Sequence, residues 1–232
     1  MPLIRAVKSR GQSQILIGTL GDPYGSEASC VQTQAALETW SREWGKSIWL
    51  MTRSSRVVRD LRRLRALSVR HRILVSVIFS TLDGALARQL EPDSCAPEAR
   101  LGALARLSRA GIETGGLLVP ILPGVNDTFR VLEELMGSLV EAGIGHLKVA
   151  APRLRNAEKR ETCLGFLEGL GPAQGEAARA ICVAGEEPSL DYQRMVATRI
   201  RALREKFGLA ADDSHSASRL QLSLLNGGPV AA

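Results

Sequence analysis

The feature that most constrains this chain is a layout that recurs five times. A short apolar run empties into a turn of small, polar or proline residues, and a helix-like stretch follows. It is plainest at Ile15–Tyr24, ILIGTLGDPY, where Ile15, Leu16 and Ile17 pass through Gly18 into Thr19, Gly21, Asp22 and Pro23. Apolar runs without alternation read as strands buried on both faces, the mark of a parallel sheet. The layout returns at LMTRSS (Leu50–Ser55), VSVIFSTLD (Val75–Asp83), LLVPILPGVND (Leu117–Asp127) and KVAAPR (Lys148–Arg153). In strand–helix repeats the residues just past each strand gather at one end of the sheet, so these five exits face one site.

The expected strands are a first from Ile15, then Ser47–Met51, Ile73–Phe79, Glu113–Val119 and Gly145–Ala150. Between them, Glu27–Trp44 has helical spacing, with Val31, Ala35, Leu37 and Trp40 inward and Gly45 as a left-handed cap. An arginine-rich helix over 55–67 starts at a capping Ser54 or Ser55, a short helix runs from Thr81 to Leu90, and another spans Ala96–Ala110. Asn126-Asp127 caps a helix over Thr128–Ala142, Asn156–Gly169 is helical, and Pro188–Phe207 closes the series with Leu190, Met195, Val196, Ile200 and Leu203 inward. Residues 1–13 read as a loop or the tail of a missing helix. Five alternations imply an α/β fold with right-handed crossovers, and five strands suit an open or partial parallel barrel rather than a closed one of eight. The divisions are an N-terminal segment 1–14, a barrel 15–155, a helical extension 156–209 and a loose tail 210–232.

Composition narrows the function classes. At 232 residues the chain is long enough for one sizeable core. It has no run of 18 apolar residues and no apolar signal core near its start, so no membrane span is expected and the cytoplasm is the default. The net charge of +6 comes almost wholly from arginine, since lysine stands only at Lys8, Lys46, Lys148, Lys159 and Lys206. That balance suits a phosphate-bearing partner without requiring one. Cys30, Cys95, Cys163 and Cys182 are scattered, with no C-x-x-C pair and no zinc-ligand spacing, so no metal site is expected.

Taken together, GTLGDPYGSEA (Gly18–Ala28), MTRSSRVVRDL (Met51–Leu61), VSVIFSTLDGALARQLEP (Val75–Pro92) and AGIETGGLLVPILPGVND (Ala110–Asp127) resemble the spore photoproduct lyase-like, DNA-repair photolyase-like branch of the radical S-adenosylmethionine proteins. That branch often reads G-T-x-T-D-P-Y, then T-K-S with R-D-L downstream, then V-S-x-S-x-T-T-L-D with L-A-R-x-L-E-P, then A-G-I-P-V and P-x-I-P-G-x-N-D. The motifs recur here in order over residues 14–155. The resemblance implies a partial (β/α)6 barrel lacking its first β/α unit, with C-terminal helices. It also implies S-adenosylmethionine as cofactor and a 4Fe-4S cluster held by a C-x-x-x-C-x-x-C loop. That loop has no counterpart among these cysteines. Arg53 stands where the branch has lysine, and Gly21 where it has threonine.

By position, Gly21 and Asp22 would border the cofactor, and Thr52 and Arg53 would face its methionyl carboxylate. Ser76 would reach the ribose or methionyl group, and Pro120, Pro123 and Asn126 would shape the adenine end. Turn and cap chemistry alone also accounts for most of these residues. The resulting expectation is a radical S-adenosylmethionine-like protein, truncated or catalytically degenerate, of unknown substrate. Two other readings stand beside it. One is a non-catalytic barrel that binds nucleic acid or a partner through the arginine-rich helix 55–67. The other is a cluster-free enzyme of Schiff-base aldolase type using Lys148, with His146 on the same side of its strand. A missing first strand would also leave Ile15–Leu20 as an exposed edge, open to a partner chain.

Overall fold

The computed structural model describes residues 4–9, 12–149, 157–181 and 188–209. Six strands form one sheet in the order of the chain: β1 (Ile4–Ser9), β2 (Gln12–Ile17), β3 (Ser47–Thr52), β4 (Arg72–Phe79), β5 (Glu113–Leu118) and β6 (His146–Val149). From β2 to β6 every pairing is parallel, with Ile17 beside Leu50, Leu50 beside Val75, Ser76 beside Gly115 and Leu117 beside Lys148. The fold is therefore α/β with a five-stranded parallel sheet, as the apolar runs imply.

The start of the chain differs from expectation. Ile4–Ser9 is neither loop nor helix tail but a strand antiparallel to β2, with Ile4 opposite Ile17 and Ser9 opposite Gln12. It occupies the side of β2 where a further parallel strand would pair, so the edge expected to be bare at Ile15–Leu20 is hydrogen-bonded over β2. The spacing of two residues between the strands suits a tight hairpin, which needs no crossover.

Alternation along the strands sorts their side chains. Ile15, Ile17, Ile48, Leu50, Ile73 and Val75 meet α1 (Glu27–Thr39), α2 (Leu61–Ser68) and α4 (Pro97–Arg109) in one core. Val77, Phe79, Leu118 and Leu147 meet α4, α5 (Phe129–Glu141) and α8 (Leu190–Phe207) in another. The opposite face of the sheet carries Leu16, Trp49, Met51, Leu74, Ile78 and Leu117, also buried. Each such side chain removed from water contributes roughly 1.5–3 kcal/mol. Between β4 and α4 lies the short α3 (Gly84–Leu90). The pair α6 (Ala157–Leu170) and α7 (Pro172–Ile181) packs Cys163, Leu167 and Ala178 against Leu122 in the exit of β5.

Several helices depart from their periodicity for identifiable reasons. α1 ends at Thr39, not Trp44, because the Thr39 hydroxyl donates to Ala36 O while Arg70 and His71 bind the carbonyls of Ser41 and Trp40. Its buried face is Cys30, Thr33 and Leu37, and Val31 is exposed, contrary to the expected stripe. Gly45, at φ +74°, lies in the following loop and caps nothing. The arginine-rich segment is not one helix: a 3-10 turn over Ser55–Asp60, capped by Ser54, gives way to α2 where Asp60 turns inward. The cap of α5 is Thr128, whose hydroxyl accepts from Val131 N, and not Asn126-Asp127. α7 goes beyond the expected elements, although Pro172 at its first position is a helix-start signal. α8 ends as expected at Gly208, φ +65°, but buries Tyr192 rather than Leu190. The tail 210–232, Cys182 and the end of the fifth exit at Pro152 and Arg153 lie outside the described residues.

Candidate functional site

The exits of β2 and β3 are built as one clasp. At the end of β2, Gly18 takes φ +94°, and a Cβ there would stand 2.1 Å from Met51 O, so only glycine lets the chain turn this tightly over β3. Four residues later Asp22 spends both carboxylate oxygens. Oδ1 accepts from the Thr52 hydroxyl at 2.5 Å and Tyr24 N at 2.8 Å, and Oδ2 accepts from Arg53 N at 2.7 Å. The Tyr24 ring is fully buried, and its hydroxyl donates to Asp60 Oδ2 at 3.0 Å. Burial, then the Asp60 charge, push the Tyr24 phenol far above its ordinary range. Asp60 also receives Arg63, and Arg56 donates to the carbonyls of Tyr24 and Gly25. D-P-Y and R-D-L, far apart in sequence, are thus the two halves of a single hydrogen-bonded joint.

A second cluster lies beside it, at the exits of β4 and β5. Glu91 accepts from Ser80 Oγ at 2.9 Å and from Arg100 at 2.6 Å, and its Oε1 lies 3.6 Å from Arg53 Nε. Arg100 is fully buried, donates also to Ile78 O and stands over the Phe79 ring at 5.4 Å. Cys95 closes the gap to the first cluster, its thiol donating to Arg53 O while its sulfur accepts from Ser55 N. Asn126, fully buried, donates to Ser80 O at 2.6 Å and Pro120 O at 2.9 Å and accepts from Leu122 N at 2.6 Å. Val119–Pro120 is cis, and Gly124 N donates to Asp127 after the Pro123 turn.

The structure therefore brings Gly21, Asp22, Thr52 and Arg53 together at one mouth, and Pro120, Pro123 and Asn126 together at the next. Gly21 is exposed, Thr52 is fully buried with its hydroxyl on Asp22, and Arg53 keeps a partly exposed guanidinium. Ser76 lies elsewhere: it is inside β4, on the face away from the helices, and accepts from Trp49 Nε1 at 2.9 Å. Lys148 shares that face, 6% exposed, with its ammonium 4.5 Å from the centre of the Trp49 ring. Glu91, Arg100 and Cys95 escape sequence reasoning as site residues. Glu91 belongs to the L-A-R-x-L-E-P motif and was legible there, whereas nothing in sequence marks Arg100 among so many arginines.

At the other end of the strands, Glu113 on β5 bridges Arg72 on β4 and His146 on β6, at 3.2 and 2.6 Å. Partial burial pushes its carboxyl up, but the bonds from Arg72 and His146 outweigh this and leave it below the usual glutamate range.

The donor set does not fit the implied cluster. Cys30 and Cys163 are buried in separate apolar clusters, burial pushes the Cys30 thiol up, and the Cys95 thiol is engaged by backbone. Among the described residues no three His, Cys, Asp or Glu side chains converge to hold a metal. Arg53 offers a planar cation, and the Thr19 hydroxyl, 5% exposed, has no partner among the described residues.

No helix among the described residues is long and apolar enough to cross a membrane. No family model matches the chain. Uncharacterised proteins of Mycobacterium tuberculosis and Mycobacterium bovis are 24% identical over 198 residues, 85% of this chain and 58% of their own length. The chain thus spans a little over half the length of the curated relatives it matches. A solved point mutant of spore photoproduct lyase matches 86% of this chain and 60% of its own, at a TM-score of 0.58 and 13% identity. What this chain shares with spore photoproduct lyase is its fold.

Proposed function

We propose that this chain is a radical S-adenosylmethionine-like module whose mouth takes the carboxylate end of the cofactor, and that these 232 residues do not assemble the iron–sulfur cluster themselves. The observation that carries the reading is the clasp of Gly18–Tyr24 with Thr52–Asp60, which sets Arg53 at the strand exits of a fold shared with spore photoproduct lyase. S-adenosylmethionine supplies, in such folds, the carbon–sulfur bond whose cleavage starts radical chemistry. Here Arg53 would pair with its carboxylate, with Glu91, 3.6 Å from the Arg53 Nε, orienting the guanidinium. Lyase chemistry of the kind in the neighbour's name then requires thiolates from outside these residues.

The test is anaerobic reconstitution with iron and sulfide, read by absorbance and electron paramagnetic resonance, beside calorimetry with S-adenosylmethionine. The expected result is no reducible 4Fe-4S signal and weak cofactor binding that Arg53→Ala abolishes. A reducible cluster signal that shifts on adding the cofactor overturns the reading.

Burial of Lys148 on an apolar face favours the Schiff-base alternative, but the Trp49 ring attracts its ammonium, the form with no lone pair for a carbonyl. Borohydride in the presence of a keto acid is expected to leave Lys148 unmodified.

A further inference from the structure

A groove of about 500 Å3 lies between α1 and the 3-10 turn with α2. Arg59, Arg62, Arg63 and Arg70 line it against the single carboxylate of Glu38. The groove runs from Arg59, one residue before the Asp60 of the clasp, along α2 to Arg70 in the loop before β4. Backbone bonds from Gly45 N to Arg70 O and from Arg72 N to Lys46 O tie together the two loops there.

These arginines are not equivalent. Arg59 pairs with Glu27 at 2.6 Å, and Arg63 with the buried Asp60 and with Glu38 at 3.5 Å, so both guanidiniums are oriented before any ligand arrives. Arg62 is exposed and makes no ion pair or hydrogen bond among the described residues. Arg70 donates to Ser41 O at 2.7 Å and lies over the Trp44 ring at 4.9 Å, and Trp44 is 65% exposed. The exposed indole is thus steadied by a guanidinium at one end of the arginine track.

Charge alone suits any polyanion. The indole narrows the choice, because guanidiniums complement phosphates while an aromatic face in solvent takes an unstacked base. A duplex keeps its bases stacked inside, and an acidic peptide has nothing planar to lay on the ring. We propose that this groove binds single-stranded nucleic acid, with phosphates along Arg59, Arg62 and Arg63 and one base on Trp44.

The test uses the 232-residue chain and fluorescein-labelled oligothymidylate of about 10 nucleotides, read by anisotropy across a salt series. With about three phosphates neutralised, the logarithm of affinity is expected to fall against that of salt with a slope of about −2. Arg62→Ala flattens the slope by about 0.7, and Trp44→Ala weakens binding about tenfold at every salt without changing the slope. Both side chains are exposed, so circular dichroism and melting stay at parental values. Arg53→Ala, at the mouth, leaves oligonucleotide binding intact, which separates this test from that of the cofactor. The proposal falls if the chain does not bind at low salt, or if polyglutamate or duplex competes as well as single strand. It falls equally if Trp44→Ala binds like the parent or if Arg53→Ala abolishes binding.

Discussion

Replacing Asn126 with alanine is expected to lower the melting temperature by about 6–12 °C. The side chain is fully buried and every polar position on it is used, two donors on Ser80 O and Pro120 O and one acceptor for Leu122 N. Alanine leaves two carbonyls and one N–H without partners, in surroundings where Ser80 and Leu122 are themselves 1% and 2% exposed. Each orphaned buried group costs roughly 1–3 kcal/mol. Taking the low end for all three, because the loop relaxes, gives about 3 kcal/mol, and a chain of this size loses about 2–4 °C per kcal/mol. Asn126→Asp sharpens the test. One oxygen still accepts from Leu122 N, but the other faces two carbonyl oxygens and is tolerated only when protonated. Its folded pKa is then raised above the ordinary aspartate value of about 3.9, so the extra instability is absent below that pH and grows as pH rises through the folded value. Calorimetric scans between about pH 4 and 8 read both effects. An Asn126→Ala melt within about 2 °C of the parent, or an Asn126→Asp offset that does not change with pH, refutes the reasoning.

Other outcomes follow from the same contacts. Glu113, held below its ordinary range by Arg72 and His146, contributes stability that is present above about pH 4.3 and lost as pH falls through its folded value; Glu113→Gln should therefore remove part of the acid sensitivity seen in urea unfolding. Gly18→Ala, which forces a side chain to φ +94° and into Met51 O, is expected to cost more than about 2 kcal/mol, measured by the denaturation midpoint. Tyr24→Phe strips Asp60 of a buried donor and is expected to cost roughly 1.5–3 kcal/mol. In the parent protein, alkaline absorbance titration should show Tyr24 remaining a phenol above pH 10 until the chain unfolds, since a raised phenol value means stability is lost as pH climbs past the unfolded one.

The parallel strands are legible because Ser47–Thr52 and Arg72–Phe79 are apolar with no regard to face, and little else but a doubly covered strand has that composition. β1 is illegible for the converse reason. IRAVKS breaks its apolar positions with Arg5 and Lys8, as edge strands do, and so reads like a loop. Asp60 shows the limit of helical periodicity: the arginines and leucines around it keep helical spacing, yet one buried hydrogen bond to Tyr24 interrupts the helix. At the mouth, Asp22 announces a turn in sequence, but its partners Thr52 and Arg53 are set by strand register. Asn126 looks like a helix cap from its neighbours alone. Its actual role, tying two exits together, depends on a carbonyl at Ser80 that no local pattern points to.

The strand order, which never departs from the order of the chain, bears on how the protein is made. As the polypeptide leaves the ribosome, β1 and β2 emerge one after the other and pair across only two intervening residues. Each later strand then emerges to find the one neighbour it needs already assembled, and no strand waits for residues not yet translated. Synthesis from the N-terminus and growth of the sheet therefore run in the same direction. Truncation is correspondingly asymmetric. Stopping translation early removes only the outermost strands, whereas deleting the hairpin takes away the template on which all the others are laid.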